Sequence, residues 1–241
     1  MFRTLLFLCL VKYASALIQR INSGFAVKWT GFDGRVVSEP LMFEISNIYS
    51  RIQCVVLCLQ NEACVSVFYR RQHRRCQLHD VLFMSPEDGE REAGAVYYSL
   101  TAGDCPLEYV HKRLLNFCYQ LRLIIARRDG GLADCTSRGE HFVVIDSEDK
   151  QNHIVKQIKS SSGALKRNYF FDGSDAANEG KWILHDGRPM TYFAWAPGYP
   201  TNDTDGKDYI TAHGGDMTYR WHDRRGRERK WYVCQKDLWI N

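Results

Sequence analysis

The sequence lacks the residue patterns that most enzymes and zinc-binding modules require. Its 241 residues contain no Cys-x-x-Cys pair, no His-Glu-x-x-His run and no Ser/His/Asp arrangement. The histidines stand far apart along the chain, and six of them are His111, His141, His153, His185, His213 and His222. Internal repeats and low-complexity tracts are also absent. We therefore predict a globular chain that is not an enzyme and has no catalytic residues.

Long apolar runs are absent too. The apolar run from Leu5 to Val11 follows Arg3 and precedes the small-residue site Ala14-Ser15-Ala16, so residues 1–16 read as a signal peptide. The alternative, a membrane anchor, needs roughly 20 apolar residues, and neither this run nor any later one reaches that length. The sequence predicts a secreted, extracellular protein without a membrane span.

Eight cysteines remain after Cys9 leaves with the signal peptide. An even number in an oxidising compartment favours disulfides. A zinc site is the alternative for the first four, but it lacks the paired knuckles and the compartment opposes it. The predicted disulfide cysteines are Cys54, Cys58, Cys64, Cys76, Cys105, Cys118, Cys135 and Cys234.

The chain has only a small excess of positive over negative charge. The net charge is +4, and loss of Arg3 and Lys12 with the signal peptide lowers it by two. Nucleic acid is not an expected partner of a secreted chain. Basic residues nevertheless cluster in two places, where they either bind an anionic ligand or form solvated loops. The candidate contacts are Arg70, Arg71, Arg74 and Arg75 in the first cluster, and Arg220, Arg224, Arg225, Arg227, Arg229 and Lys230 in the second.

Residues 25–100 read as a first domain. Apolar residues at helical spacing (Ile52, Val55, Val56 and Leu59) predict a helix that begins near Ser50 and carries Cys54 and Cys58 on one side. Strands are predicted at 65–69 and from Cys76. We expect Cys58 to pair with Cys64 and Cys54 with Cys76, which would staple a domain with a small core.

The first domain resembles the PAN/apple family. The resemblance rests on the two-cysteine helix, the run 64–69, the run 76–79 and the closing aromatic strand 94–99. It covers about 75 residues and implies a helix packed on an antiparallel sheet. The outer third bridge of many apple domains is missing. We read the polar stretch 85–92 as an exposed loop and place the domain boundary at 101–104.

Residues 105–236 read as a second domain. Cys105 and Cys118 enclose a short strand-turn-strand segment, and a bond between Cys135 and Cys234 would tie the start of the domain to its end. Ser147 caps a predicted helix with Ile154, Val155 and Ile158 on its apolar face. Asp186-Gly187 between apolar runs predicts a tight hairpin.

This second domain resembles a long-form C-type lectin-like domain. The resemblance rests on the bridges Cys105 to Cys118 and Cys135 to Cys234, and on three runs: 169–173, 179–195 and 231–235. It covers about 130 residues and implies two helices, antiparallel sheets and a long loop region. The predicted fold class of the whole chain is α+β.

The resemblance implies a calcium-dependent sugar site, but most residues at the matching ligand positions are not types that bind calcium. Family members hold the ion with a Glu-Pro-Asn or Gln-Pro-Asp triplet, a carboxylate before an Asp-Cys pair, and a Trp-Asn-Asp triplet. The matching positions here are Tyr199, Pro200 and Thr201, then Lys207, then His222 and Asp223. Only Asp223 is a retained ligand, and calcium needs six to eight oxygens. We therefore predict no metal and no cofactor.

Further features of the same region weaken the inherited site. Tyr209 replaces the first cysteine of the family's inner disulfide. Asp203, Asp205 and Asp208 either regroup as calcium ligands or simply form turns. Asn202-Asp203-Thr204 is an N-glycosylation pattern, so a glycan on Asn202 would stand beside the site.

These observations predict a secreted recognition protein that binds an extracellular protein or a sulfated or acidic glycan without calcium. Trp195, Tyr199 and Trp221 are candidate stacking surfaces, although Trp182 and Trp195 fit a core role better. The alternatives are a calcium-dependent lectin with atypical ligands and a matrix or structural component. The sequence carries no signal for an oligomeric state.

Overall fold

The computed structural model describes residues 24–201 and 205–238. The predicted signal peptide and Asn202 lie outside these residues. The described chain forms two compact units. The first runs to Asp80 and continues from Gly89–Arg113, and the second comprises Val81–Asp88 and the chain from Leu114 onward. No helix in the described ranges is long and apolar enough to cross a membrane.

The first unit is built on a five-stranded antiparallel sheet in the order β1-β7-β4-β5-β3. A two-stranded ribbon, β2 with β6, accompanies it. The strands of these two sheets are β1 Gly24–Lys28, β2 Arg35–Val36, β3 Phe43–Ser46, β4 Ser66–Arg70, β5 Arg75–His79, β6 Glu90–Arg91 and β7 Ala95–Ala102. The unit also contains the short strand β8 Val110–Lys112, which belongs to neither of them.

The α-helix that the structure describes in the first unit, α1 Arg51–Gln60, begins where the sequence predicts. Ser50 caps it by accepting a hydrogen bond from the Gln53 amide at 3.1 Å, a contact that contributes about 1 kcal/mol. The predicted apolar face was only partly right, because Ile52 is 67% exposed. The helix instead buries its two cysteines, which bond Cys54 to Cys76 and Cys58 to Cys64.

The second unit contains a mixed sheet in the order β13-β12-β11-β14-β9, and β10 also pairs with β14. The pair β11 and β14 is parallel, whereas the resemblance implied antiparallel sheets. The elements are β9 Phe117–Ala126, α2 Arg128–Thr136, β10 His141–Phe142, α3 Glu148–Lys159, β11 Tyr169–Ser174, β12 Tyr209–Ala212, β13 Trp221–Arg224 and β14 Lys230–Lys236.

Helix α3 agrees with its sequence signals, since Ser147 caps it and Ile154 and Ile158 are fully buried. Helix α2 carries no capping side chain and contains two adjacent glycines, so local signals did not locate it, although the lectin-like resemblance implies two helices in this domain. Gly131 lets this helix approach the sheet closely, because a Cβ there would lie 3.1 Å from the Tyr232 ring.

The disulfide Cys135–Cys234 joins α2 to β14 across 99 residues of sequence. Both cysteines are fully buried in a cluster with Phe142, Phe170 and Tyr232. Cys105 and Cys118 are disulfide-bonded as well. Every cysteine predicted to form a disulfide is therefore oxidised.

Candidate functional site

The long connection from β11 to β12 begins with the stretch that predicted a hairpin. The turn is present, and Leu184 donates to the Arg188 carbonyl at 2.9 Å. The flanking strands are reduced to single bridges, Ser174 with Ile183 and Ile183 with Pro189. The segment is therefore an irregular loop that is anchored to the end of β11.

Five of the six positions matched to the family's calcium ligands come together at this loop and β13. The Tyr199 ring stacks on the His222 ring at 3.9 Å and 13°, and His222 stacks in turn on His213 at 4.4 Å. Thr201 and Lys207 lie beside Asp223. We call the stacked rings of Tyr199, His222 and His213 the aromatic column.

Arg224 holds the aromatic column in place. Its Cζ lies 5.2 Å from the centre of the Tyr199 ring, and its Nη2 lies 3.3 Å from the Tyr199 hydroxyl. The same Nη2 donates to His222 Nδ1 at 2.8 Å. An arginine can only donate, so His222 Nδ1 accepts and its proton sits on Nε2.

His222 resists protonation in this setting. Burial, followed by the charge of Arg224 and the neighbouring His213, lowers the pKa of His222 to about 4. An NMR titration should therefore show His222 neutral down to about pH 4, and Arg224→Ala should move the pKa of His222 back toward 6.5.

The lowered pKa of His222 makes the free energy of unfolding depend on pH. The unfolded chain binds a proton at His222 below about pH 6.5, whereas the folded chain does not, so His222 makes the fold less stable as the pH falls toward 4. A native midpoint near 6.5 would contradict the role of the aromatic column.

Asp223, the retained family ligand, is committed to protein contacts. Its side chain is buried, and Oδ2 accepts from the Thr201 amide at 3.0 Å and from the Thr201 hydroxyl at 2.5 Å. Lys207 Nζ donates to that hydroxyl at 3.3 Å. A cation that approached Asp223 Oδ2 would therefore compete with the hydrogen bonds from Thr201 and be repelled by the Lys207 ammonium group.

Two buried carboxyl oxygens in this region, Asp175 Oδ1 and Asp223 Oδ1, have no hydrogen-bond partner among the described residues. Burial raises the pKa of Asp175, and the charges of Asp208 and Asp223 add to the increase. Asp205 does not join these carboxylates, because it pairs with Arg225.

The basic residues of the second unit fall into two groups, those that are buried or ion-paired and those that are exposed. Lys230 is buried and pairs with Glu228 at 2.7 Å, and Arg225 pairs with Asp205. These two are poor candidates for ligand contacts. The exposed candidates are Arg220, Arg227 and Arg229.

A shallow groove of about 460 Å³ lies beside this basic surface. Arg225 and Arg227 line it together with Tyr209, and Arg128 lies over the Tyr209 ring at 4.2 Å. Sequence reasoning missed Arg128 and Tyr209 as surface partners. They stand about 80 residues apart, and no local pattern links them.

Two arginines of the basic cluster in the first unit, Arg70 and Arg75, form ion pairs with glutamates. Arg70 Nη2 lies 2.7 Å from Glu92, and both Arg70 and Arg75 pair with Glu44. Arg74 lies over the Tyr49 ring at 5.1 Å. An ion-pair network therefore occupies the guanidinium groups of Arg70 and Arg75, two of the four that the sequence offered to an anionic ligand.

Two of the candidate stacking tryptophans belong to the core. Trp221 is 1% exposed and donates to Gln151 at 3.0 Å. Trp195 is half-buried between Trp182 and Trp221, as the core interpretation of Trp182 and Trp195 expects. Of the proposed stacking residues, only Tyr199 lies in the site itself.

Comparison with known proteins identifies both units. Residues 128–236 match the family model described as Lectin C-type domain, and residues 29–102 match that of the PAN domain. The human protein "C-type lectin domain family 17, member A" is 28% identical over 119 residues, which are 49% of this chain and 29% of the relative. The tetranectin-like protein of Carcharhinus perezii is 29% identical over 102 residues, which are 42% of this chain and 60% of the relative.

The solved structure of human lithostathine shares the fold of the second unit. It aligns with a TM-score of 0.50 at 18% identity, and the alignment covers 56% of this chain and 91% of lithostathine. The matches to the two sequence relatives span less than two thirds of the relatives' own length. These likenesses support carbohydrate or protein recognition and do not identify a ligand.

Proposed function

We propose that this chain, a PAN domain followed by a C-type lectin domain, is a secreted, non-enzymatic recognition protein that binds an anionic glycan without calcium at the lectin-type site. The observation that carries the proposal is the aromatic column clamped by Arg224. It replaces ion-ligating oxygens with rings and a guanidinium, while Thr201 and Lys207 occupy the surroundings of Asp223.

The exposed arginines supply the attraction for the anion. Arg220 and Arg227 are exposed, and Arg227 lines the groove beside Tyr209. A guanidinium donates paired hydrogen bonds that match sulfate and carboxylate oxygens. Arg128, which lies over the Tyr209 ring at 4.2 Å, adds a further guanidinium beside the groove.

Immobilised heparin provides the test. The full chain should bind, elute with salt and be insensitive to chelator, because screening weakens charge contacts while no ion is needed. Arg220→Ala with Arg227→Ala should weaken binding roughly tenfold, equivalent to about 1.4 kcal/mol. The matched control, Lys159→Ala with Lys181→Ala, removes the same charge elsewhere on the second unit and should have little effect.

The rival function is a calcium-dependent lectin with atypical ligands. The buried, unpartnered oxygens of Asp175 and Asp223 favour it. Chelator-sensitive binding to neutral sugars would support the rival and overturn our proposal. Equal losses in the arginine and lysine variants would show that only net charge matters. Binding to a protein partner alone, with no heparin retention, would favour a matrix or structural role.

A further inference from the structure

Two histidines and a buried aspartate that are distant in the sequence meet in the second unit. His141 lies in β10, Asp172 in β11, and His185 in the loop that follows the Ser174–Ile183 bridge. One ligand atom from each lies within 4.8 Å of the others. The Asp172 amide donates to the Val143 carbonyl at 2.9 Å, which fixes β11 against the segment after β10.

Hydrogen bonds fix the tautomer of both rings. His185 Nδ1 lies 2.7 Å from Asp172 Oδ2, and His141 Nδ1 lies 2.6 Å from the Phe142 carbonyl oxygen. Carboxylate and carbonyl oxygens only accept, so each Nδ1 carries the proton. In the neutral rings, both Nε2 atoms therefore carry a lone pair. Metal-binding histidines show the same arrangement, with the other ring N–H donated to a carboxylate or a backbone carbonyl.

His141 Nε2 faces a carboxylate to which a proton or a metal ion must link it. This atom lies 3.0 Å from Asp237 Oδ1. Two acceptors at that separation repel each other unless a proton or a metal ion links them. The His141 and His185 rings also stack, with centroids 3.9 Å apart and planes at 17°, so at least one ring must rotate out of the stack for both Nε2 atoms to bind one ion.

The burial of the group suits a site that opens to solvent on one side. His141 and Asp172 are less than one tenth exposed. The side chain of His185 is 32% exposed and that of Asp237 is 73% exposed. An ion can therefore enter past His185 and Asp237, while β10 and β11 hold the buried members in place.

We propose that this group binds a divalent transition metal of the Zn²⁺ class. His141 and His185 supply nitrogen ligands, and Asp172, whose carboxylate lies within 4.8 Å of a ligand atom of each, orients His185 and completes the group. Asp237, 3.0 Å from His141 Nε2, adds a carboxylate on the solvent side. Imidazole with carboxylate suits Zn²⁺, Cu²⁺ and Ni²⁺, whereas calcium prefers a shell made only of oxygens. The site shares no residue with the aromatic column and does not depend on the anionic-glycan proposal.

Zinc titration of the full chain after chelator treatment tests this site. Isothermal calorimetry at pH 7.5 should show one Zn²⁺ per chain, and metal analysis after gel filtration should recover it. His185→Ala should weaken binding at least tenfold, because it removes one of the nitrogen ligands. Asp237→Asn should weaken it less, since the amide keeps a coordinating oxygen. The matched control is His73→Ala in the first unit, where the side chain is 52% exposed.

Two further measurements control for misfolding of the variant and for protonation of the histidines. His185 is partly exposed and lies in a loop, so His185→Ala should keep the wild-type circular dichroism spectrum. Affinity should fall when the pH drops from 7.5 to 5.5, because protons compete for both Nε2 atoms. The proposal is overturned if no stoichiometric Zn²⁺ binds, or if His185→Ala and His73→Ala bind it equally well. In either case His141 would be linked to Asp237 by a proton alone.

Discussion

Replacing Cys135 and Cys234 together by alanine is expected to lower the free energy of unfolding of the second unit by about 4–5 kcal/mol. The bond spans 99 residues of sequence, so its loss frees a very large loop in the unfolded chain. Both sulfurs are also fully buried beside Phe142 and Tyr232. Urea unfolding followed by tryptophan fluorescence measures the effect, since Trp182, Trp195, Trp221 and Trp231 all lie in this unit.

The matched control is the double alanine variant of Cys58 and Cys64. That bond spans 6 residues, and the same chain-entropy relation gives a loss of only about 2 kcal/mol. The control concerns the first unit, so the fluorescence of the second unit should not change. Equal losses in the two variants would show that local packing, not loop closure, determines the contribution of each bond.

Replacing Arg113 by methionine should destabilise the first unit by about 3 kcal/mol. The guanidinium caps the end of α1, donating to the carbonyls of Cys58, Leu59 and Asn61 at 2.7 Å and to that of Cys64 at 3.0 Å. Methionine keeps most of the side-chain volume but leaves these acceptors without their donor. Burial lowers the pKa of Arg113, and the charge of Glu62 opposes this change.

Chemical denaturation of three variants checks the role of Arg113. Arg113→Lys should recover part of the loss, because an ammonium can reach some of the carbonyls but lacks the planar fork. Arg71→Met, at an exposed position of the same unit, should cost less than about 0.5 kcal/mol. A loss in Arg113→Met no larger than that in Arg71→Met would contradict the capping role.

Local sequence patterns were sufficient to predict much of the secondary structure. Ser50 and Ser147 marked both capped helices, and the predicted strand at 65–69 corresponds to β4. The runs 169–173 and 231–235, on which the lectin-like resemblance rests, lie in β11 and β14. Local signals did not locate helix α2 because Gly130 and Gly131 have low helix propensity, and only the close packing against Tyr232 and Phe142 explains Gly131. The parallel pairing of β11 with β14 is a long-range contact that no strand pattern specifies.

The candidate site was predicted in composition but not in arrangement. Residue types at 199, 201, 207 and 222 already excluded the usual calcium ligands, and this inference needed no coordinates. The stacking of Tyr199 on His222 and His213 was not foreseen, because β12 and β13 bring these residues together only when they pair. Exposure also divided the basic residues, since Lys230 is buried while Arg227 is not.

The sequence by itself determined the order of two disulfide-stapled modules and the α+β class, because these depend on residue type and local spacing. The tertiary structure alone decided which charges are available and which polar groups meet. Glu44 and Glu92 neutralise Arg70 only because β3 and β7 lie in the same sheet as β4. His141 and His185 looked unrelated in the sequence, and the pairing of β10 with β14 and the bridge at Ile183 place their rings 3.9 Å apart.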